Sequence, residues 1–459
     1  MAHACDGAQR HLPGHLSARA SRAIRPALSY FKAFLEAQSR QWSASDPDGN
    51  IILSVAENRL TSDVVKERLS RSAADFPEEA LTYQAGGVGA GSGEGMGDRR
   101  GLEMKDMRGL LRLRKALAAL LEGTFMQGIS VDPDHLTVSA GAGAIIENLF
   151  HCIAGQGDAV LIPSPYYPAF DNDLMVKCGV RPVPFPLDED RPVGPQLDAA
   201  AEAAAEAADA DDGPGPGPDA QGGIAQGQLA ADGGRRRRRV AALLITTPNN
   251  PLGIMYRRET IVAMLRWCLA REVHLVSDEI YGNSVFGEGA SFTSTEAYDN
   301  LGYFCAVPNP VQWALIAALE DEQWLAGFLA TNKARLGQAY GKLEAALVSA
   351  GIPHVRADSA MVLLGGPAWL PGPGWEGEAA LWEEMCRECR VLLTPGQQCH
   401  AAEPGFFRVC WAWVPPDALP AAVRRLAERF GARGGGGDSG SGKQVAAEAK
   451  DGEDETPAS

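Results

Sequence analysis

Short apolar runs alternate with longer segments of helical periodicity in the middle of the chain. Residues 240–245 form a continuous apolar run and residues 273–276 a mostly apolar one, interrupted by His274, and such runs are typical of buried strands. Between them, residues 259–272 carry apolar side chains at helical spacing. That arrangement predicts two parallel strands joined by a crossover helix. The pattern therefore indicates an α/β protein with a mostly parallel sheet.

Two later stretches have the periodicity of amphipathic helices, residues 321–348 and residues 376–390. The second contains Cys386 and Cys389, a spacing that also occurs in zinc sites. No fourth ligand stands at finger spacing, so core packing is favoured over metal binding. Neither helix is long and apolar enough to cross a membrane.

The two predicted strands end in polar motifs. Asn250 follows the first strand, and Asp278 and Tyr281 follow the second. In parallel sheets, ligand groups gather at the carboxyl ends of the strands. A carboxylate there could hold a ring nitrogen protonated, while an amide and a phenol bond an oxygen on the same ring. These residues therefore suit an aromatic nitrogen cofactor that carries a phenolic oxygen.

Three further motifs could contact a ligand. Small residues at 139–144, including Ala142 and Gly143, follow a strand-like segment at 136–138 and would let backbone amides approach a phosphate. A tight turn without a ligand is the alternative. Tyr167 precedes a proline and could stack on a ring, or pack in the core. Arg408, among apolar neighbours, needs a carboxylate, which could come from the protein or from a substrate.

Together with residues 49–60, these motifs stand in the order found in class I/II aminotransferases, the fold-type I enzymes that use pyridoxal 5′-phosphate. From about residue 16 to about residue 430, the chain most resembles the 1-aminocyclopropane-1-carboxylate synthase branch. The resemblance implies cofactor contacts from Ala142, Gly143, Tyr167, Asn250, Asp278 and Tyr281, and amino-acid substrate contacts from Glu57 and Arg408.

The resemblance also implies an architecture for residues 17–430. A large domain, roughly 76–324, would hold the parallel sheet flanked by helices, and a smaller α+β domain would combine roughly 17–75 and 325–430. Family members are homodimers with the site at the subunit interface, and the cytoplasm is the expected location. The activity implied is transamination or the related ring-closing elimination. The sequence does not choose between them.

A join near residues 294–301 interrupts the resemblance. The family continues there through a serine and lysine motif, whereas this chain passes into a segment that resembles the region well downstream of that lysine. None of the nine lysines stands at a strand end, so the Schiff-base lysine is absent and no catalytic residue is assigned. A skipped exon is favoured over an evolved, catalytically silent binding protein, because cores tolerate the loss of a buried strand poorly.

Composition and charge narrow the function classes. The chain has 459 residues, 45% of them hydrophobic, which is enough for a large core, and its net charge of −16 argues against a nucleic-acid surface. Nine cysteines without framework spacing suggest reduced thiols. Partners are expected to be a small amino-acid substrate and a second copy of the chain, with no nucleic acid and no membrane.

Three segments depart from the family pattern. Residues 198–239 are a low-complexity insertion, predicted as a solvated loop, that ends in five consecutive arginines. Residues 86–101 are a Gly-rich insertion, and residues 434–459 are predicted to be a disordered tail. Met107 stands where the synthase branch usually has an interface tyrosine that reaches the partner's cofactor. Tyr83 is a candidate replacement.

Overall fold

The computed structural model describes residues 30–72, 108–126, 128–206, 238–287, 289–295, 309–359, 362–365 and 369–434. The predictions for Tyr83, Met107, the Gly-rich insertion and residues 435–459 lie outside these ranges.

Helices and strands alternate through much of the described chain. The helices are α1 (Tyr30–Ala37), α2 (Ser62–Ser72), α3 (Leu111–Thr124), α4 (Ala142–Ile153), α5 (Phe170–Cys178), α6 (Val193–Glu206), α7 (Arg258–Arg271), α8 (Asn309–Leu319), α9 (Glu322–Ser349), α10 (Gly374–Glu384) and α11 (Ala418–Gly434). The strands are β1 (Ile51–Ile52), β2 (Ala159–Ser164), β3 (Arg181–Pro186), β4 (Val240–Thr246), β5 (His274–Asp278), β6 (Val362–Gly365), β7 (Val391–Leu392), β8 (Thr394–Pro395) and β9 (Phe406–Val409).

The main sheet is parallel, with strand order β3-β2-β4-β5. Successive side chains of a strand point to opposite faces, so strands without polar alternation are apolar on both sides. In β4, Leu243 and Ile245 enter one core with α6 and α7, while Ala242 and Leu244 enter another with α4 and α5. The two predicted strands and the crossover helix α7 are therefore confirmed.

A third core joins the two ends of the described chain. Strand β1 pairs in parallel with β7, and β6, β9 and β8 form an antiparallel sheet. The long helix α9 packs here through Leu336, Tyr340 and Leu347, as its predicted amphipathic pattern requires. Cys389 is buried in the same core and is the last residue of the π-helical turn Met385–Cys389 that follows α10. The domain boundaries given above remain a prediction.

Two expectations about local structure were wrong. Residues 136–138 are not a strand in the described chain, although the amide of Val138 donates to the carbonyl of Arg108 at 2.7 Å. An extended segment becomes a strand only when a neighbour pairs with it. Residues 198–206 are also not a solvated loop, because they complete α6, where Ala200 and Ala204 are buried against the sheet. Alanine-rich composition concealed a helix that packs through small side chains.

The helices of the described chain differ from membrane-spanning segments. None is both long enough and apolar enough to cross a bilayer.

Candidate active site

The two parallel strand ends bring three of the predicted residues together. Thr246 and Asp278 are register partners at the ends of β4 and β5. In the loop after β4, the amide of Asn250 lies 3.5 Å from the phenol oxygen of Tyr281, to which it can donate. The Asn250 carbonyl oxygen accepts from Nη1 of Arg408 at 3.2 Å. Asn250 is only 2% exposed, so the chain of contacts from Tyr281 to Arg408 is largely shielded from water.

Arg408 lies on β9 and is 1% exposed. Its Nη2 donates to the carbonyl of Ser54 at 2.8 Å and to Oγ1 of Thr394 at 3.0 Å, while its Nε is buried without a hydrogen-bond partner. Within the described residues, no carboxylate forms an ion pair with this guanidinium. A buried charge without a counter-ion is costly, and a guanidinium fork matches a carboxylate. Arg408 is therefore prepared to receive an anion from outside the described chain.

Asp278 carries the opposite charge at the end of β5. Burial is the main cause that raises the pKa of this carboxyl to about 6, and Glu279 raises it further, although the backbone amide of Ile280 lowers it. That amide donates to Oδ1 of Asp278 at 3.2 Å. In the part of the chain that the structure describes, Asp278 has no cationic partner. A cation placed beside it would remove the cost of its ionisation.

The two adjacent tyrosines have different environments. Tyr166 is 1% exposed, donates its hydroxyl to Oδ1 of Asp171 at 2.7 Å, and stacks on the ring of His400 with a centroid distance of 4.4 Å. Tyr167 is only partly buried and meets Phe170 edge to face, at 5.3 Å between centroids. Burial raises the pKa of Tyr167. The charge of Arg408 lowers this pKa, and the charge of Asp278 raises it. Tyr166 is thus a core residue, and Tyr167 is the one beside the charged groups.

The small residues at 139–144 lead into the first turn of α4. Gly141 adopts φ +97°, a conformation that favours glycine, and α4 begins without a side-chain cap. Gly141 and Gly143 are exposed, so the first amides of the helix are open to a ligand. A Cβ at Gly143 would lie 3.7 Å from Oδ1 of Asp173. Burial, with Glu147 and Asp278, raises the pKa of Asp173 to about 6.

Glu57, predicted to bind substrate, is exposed and forms no hydrogen bond within the described residues. It follows β1 in the same segment as Ser54, whose carbonyl holds Arg408. Glu57 therefore lies three residues after the Ser54 carbonyl that bonds Arg408, but its side chain forms no hydrogen bond with the other predicted residues.

Sequence reasoning missed several supporting residues. Thr394 bonds the guanidinium directly, and Glu378 holds the loop between β8 and β9 through backbone amides. Nε2 of His400 lies 2.8 Å from Oδ2 of Asp171, to which it donates. Glu378 could have been found from the sequence, because it is an acid within the predicted amphipathic helix 376–390. The other contacts depend on long-range packing that no local pattern encodes.

The residues before the predicted join are held in place. Oε1 of Glu279 accepts from the amide and hydroxyl of Thr295, at 2.8 and 2.6 Å, and from the hydroxyl of Ser277 at 2.9 Å. The described lysines offer no replacement for the missing one, since each is exposed on a helix and none stands at a strand end: Lys32, Lys66, Lys115, Lys177, Lys333 and Lys342.

Comparison with known families gives one match. The model of the family "Aminotransferase class I and II" matches residues 97–302 and 294–426. The two matched stretches overlap at residues 294–302, where the order of family motifs along the chain is interrupted.

Comparison with curated proteins finds synthases of the predicted branch. The chain is 31% identical to 1-aminocyclopropane-1-carboxylate synthase 5 of Oryza sativa subsp. japonica, over 84% of this chain and 74% of the relative. It is 26% identical to 1-aminocyclopropane-1-carboxylate synthase 9 of Arabidopsis thaliana, over 87% of each chain.

Solved structures share the fold. The chain is similar to a single mutant of Thermus thermophilus aspartate aminotransferase, with a TM-score of 0.63 and 21% identity, over 90% of this chain and 99% of the other. An aminotransferase from Mycobacterium tuberculosis gives a TM-score of 0.64 and 19% identity, over 91% and 99%.

Proposed function

Because the chain belongs to the class I and II aminotransferase family and has the α/β fold of the fold-type I enzymes, we propose that its site binds pyridoxal 5′-phosphate together with an α-amino acid. Members of this family depend on that cofactor. One observation carries the proposal: the buried guanidinium of Arg408 and the partly buried carboxylate of Asp278 each lack a counter-ion within the described residues. An α-amino acid and a protonated ring would supply the two missing charges.

The donor set fits the cofactor. Asp278 would hold the ring nitrogen protonated, and Asn250 and Tyr281, which already lie within 3.5 Å of each other, would bond the ring oxygen. Tyr167 would stack on the ring. The open first amides of α4, at Ala142 and Gly143, would bind the phosphate, since the positive end of a helix favours an anion.

When bound, the cofactor supplies an electron-withdrawing ring that stabilises negative charge at the amino acid's α-carbon. The chain's own residues orient the substrate. Arg408 would bind the α-carboxylate through its fork, and Asn250 keeps that fork in place with a 3.2 Å contact. Glu57, exposed beside the same segment, would approach the substrate from solvent. Burial of Arg408 and Asn250 excludes competing water from these contacts.

Proton transfer at the α-carbon is the step that this chain performs least well. In this family a lysine moves that proton, and every described lysine is exposed on a helix instead. Removal of a general base typically lowers the rate by about 10²- to 10⁴-fold. We therefore propose reversible cofactor and amino-acid binding with little turnover for the chain as written. A chain that does not fold stably is the competing account.

For a form of this chain that contains the lysine segment, we propose the ring-closing reaction after which its relatives, the 1-aminocyclopropane-1-carboxylate synthases, are named. Transamination is the second candidate. The missing lysine segment would have to be inserted into the chain before the two activities could be compared. Such a restored chain would be assayed with S-adenosylmethionine and, separately, with an amino donor and a keto-acid acceptor. We also propose a homodimer in the cytoplasm, which light scattering and cell fractionation would test.

The binding proposal is tested by titrating the purified chain with pyridoxal 5′-phosphate and following ligand fluorescence. Saturable binding that weakens in Asp278→Asn, and that a desalting column reverses, is the expected result. Asp48→Asn, an exposed aspartate, is the matched control. A protein that shows no cooperative unfolding and no saturable binding would contradict the proposal and favour the account without a stable fold.

A further inference from the structure

Glu378 is a buried acid that no part of the proposed chemistry uses. It lies on α10 and is 1% exposed. Oε1 accepts from the amide of Gln397 at 2.9 Å, and Oε2 accepts from the amide of Gly405 at 2.7 Å. Burial raises the pKa of this carboxyl, while hydrogen bonds from these backbone amides lower it. Within the described residues it has no cationic partner.

A carboxylate in such a position is expensive unless its oxygens are satisfied. Here the compensation comes from amides at the two ends of one loop, residues 396–405, rather than from an arginine or a lysine. One side chain therefore ties together two points of the backbone that are eight residues apart, Gln397 and Gly405. Hydrogen bonds to a charged acceptor are stronger than neutral ones, so this tie restrains the loop more than an amide side chain would.

The ends of the same loop hold the substrate arginine. Strand β8 leads into the loop and β9 leaves it, with Thr394 the register partner of Arg408. Oγ1 of Thr394 accepts from Nη2 of Arg408 at 3.0 Å. The two ends approach closely, because a Cβ at Gly396 would lie 2.5 Å from the carbonyl oxygen of Phe406. A displacement of either end therefore moves the guanidinium.

We propose that Glu378 is a positioning residue of the carboxylate site: by fixing both ends of loop 396–405, it holds Arg408 where a ligand carboxylate can bind. The proposal rests on the function proposed above. It predicts that Glu378 affects carboxylate binding much more than cofactor binding. Asp278 and the first turn of α4 belong to other elements, and the Tyr167 segment meets the loop at the neighbouring Tyr166, whose amide donates to the carbonyl of Cys399 at 2.9 Å.

The test uses the full chain and two ligands measured by calorimetry, L-methionine and pyridoxal 5′-phosphate. Glu378→Gln keeps the shape of the side chain but places an amide group against a backbone N–H. A misplacement of a binding group by about 1 Å can cost up to about 100-fold, so we expect the Kd for L-methionine to rise by about 10-fold or more. The Kd for the cofactor should stay within about twofold. Glu376→Gln, exposed on the same helix, is the matched control.

A double-mutant cycle shows whether Glu378 acts through the arginine. In an Arg408→Lys background, Glu378→Gln should change the weakened L-methionine affinity by less than about twofold, because residues that act as a unit are not additive. Equal additional weakening in that background would overturn the proposal. Weakening of both ligands together with a lower melting temperature would indicate a structural role only, and would also overturn it.

The outcomes separate this inference from the proposed function. If the unmodified chain binds L-methionine and Glu378→Gln binds it equally well, the positioning role is wrong and the proposed function stands. If the unmodified chain binds no L-methionine, the proposed function fails, and this inference fails with it. Should Glu378→Gln not fold, the same measurements are made on Glu378→Asp, which keeps the charge but is shorter by one methylene, and the same criteria apply.

Discussion

Replacing Asp278 with asparagine should stabilise the cofactor-free chain, although it removes a residue of the site. The pKa of Asp278 is raised from 3.8 to about 6, mainly by burial. In the folded state the carboxyl therefore keeps its proton to a higher pH than in the unfolded state. The neutral carboxyl therefore adds to the free energy of unfolding below about pH 4, and this contribution is lost as the pH rises through about 6.

The size of the effect follows from the shift. A difference of about 2 pK units corresponds to about 3 kcal/mol, of which about 2 kcal/mol falls between pH 4.5 and pH 8. The asparagine side chain of the variant cannot ionise, so this loss should be missing from it. We expect the free energy of unfolding of Asp278→Asn, relative to the unmodified chain, to increase by about 2 kcal/mol over that pH interval.

The assay is urea denaturation of the cofactor-free chain at pH 4.5, 6 and 8, with Asp48→Asn as the exposed control. The control should follow the unmodified chain at every pH, since Asp48 is exposed. Saturating pyridoxal 5′-phosphate should reverse the order at pH 8, because the protonated ring then compensates Asp278. A variant that is less stable than the parent at pH 8 without cofactor would refute the reasoning.

Four other substitutions test separate contacts of the site and its surroundings. Arg408→Met should weaken L-methionine binding by about 100-fold or more, as seen by calorimetry, because it removes the guanidinium that would bind the carboxylate. Tyr166→Phe should cost about 1–3 kcal/mol in urea denaturation, since it breaks a buried hydrogen bond, whereas Tyr167→Phe should change stability by less than about 0.5 kcal/mol. Thr295→Val should cost about 1–2 kcal/mol through loss of its bond to Glu279, and an unchanged stability would show that this contact before the join is not formed.

Part of the fold follows from the sequence because it depends on local pattern. The apolar run of β4 is buried on both faces, and β5, whose Leu275 is buried, pairs beside it. The loops after the two strands then bring Asn250 and Tyr281 to within 3.5 Å. The helical periodicity of α7 and α9 is similarly local. For these elements, spacing alone carries the information.

The remainder depends on what each segment meets in space. Residues 136–138 have the composition of a strand but no strand pairs with them in the described chain. Residues 198–206 form a helix although small side chains give a weak hydrophobic pattern. Glu378 accepts from backbone amides that are 19 and 27 residues away, and backbone donors leave no mark on the sequence.

The central property proposed for this chain is the binding of pyridoxal 5′-phosphate without a covalent link to a lysine. It is tested most directly by adding the cofactor, reducing with borohydride, and measuring the intact and peptide masses. The account predicts saturable binding beforehand and no added cofactor mass on any lysine afterwards. Stoichiometric cofactor found on one lysine peptide would contradict it.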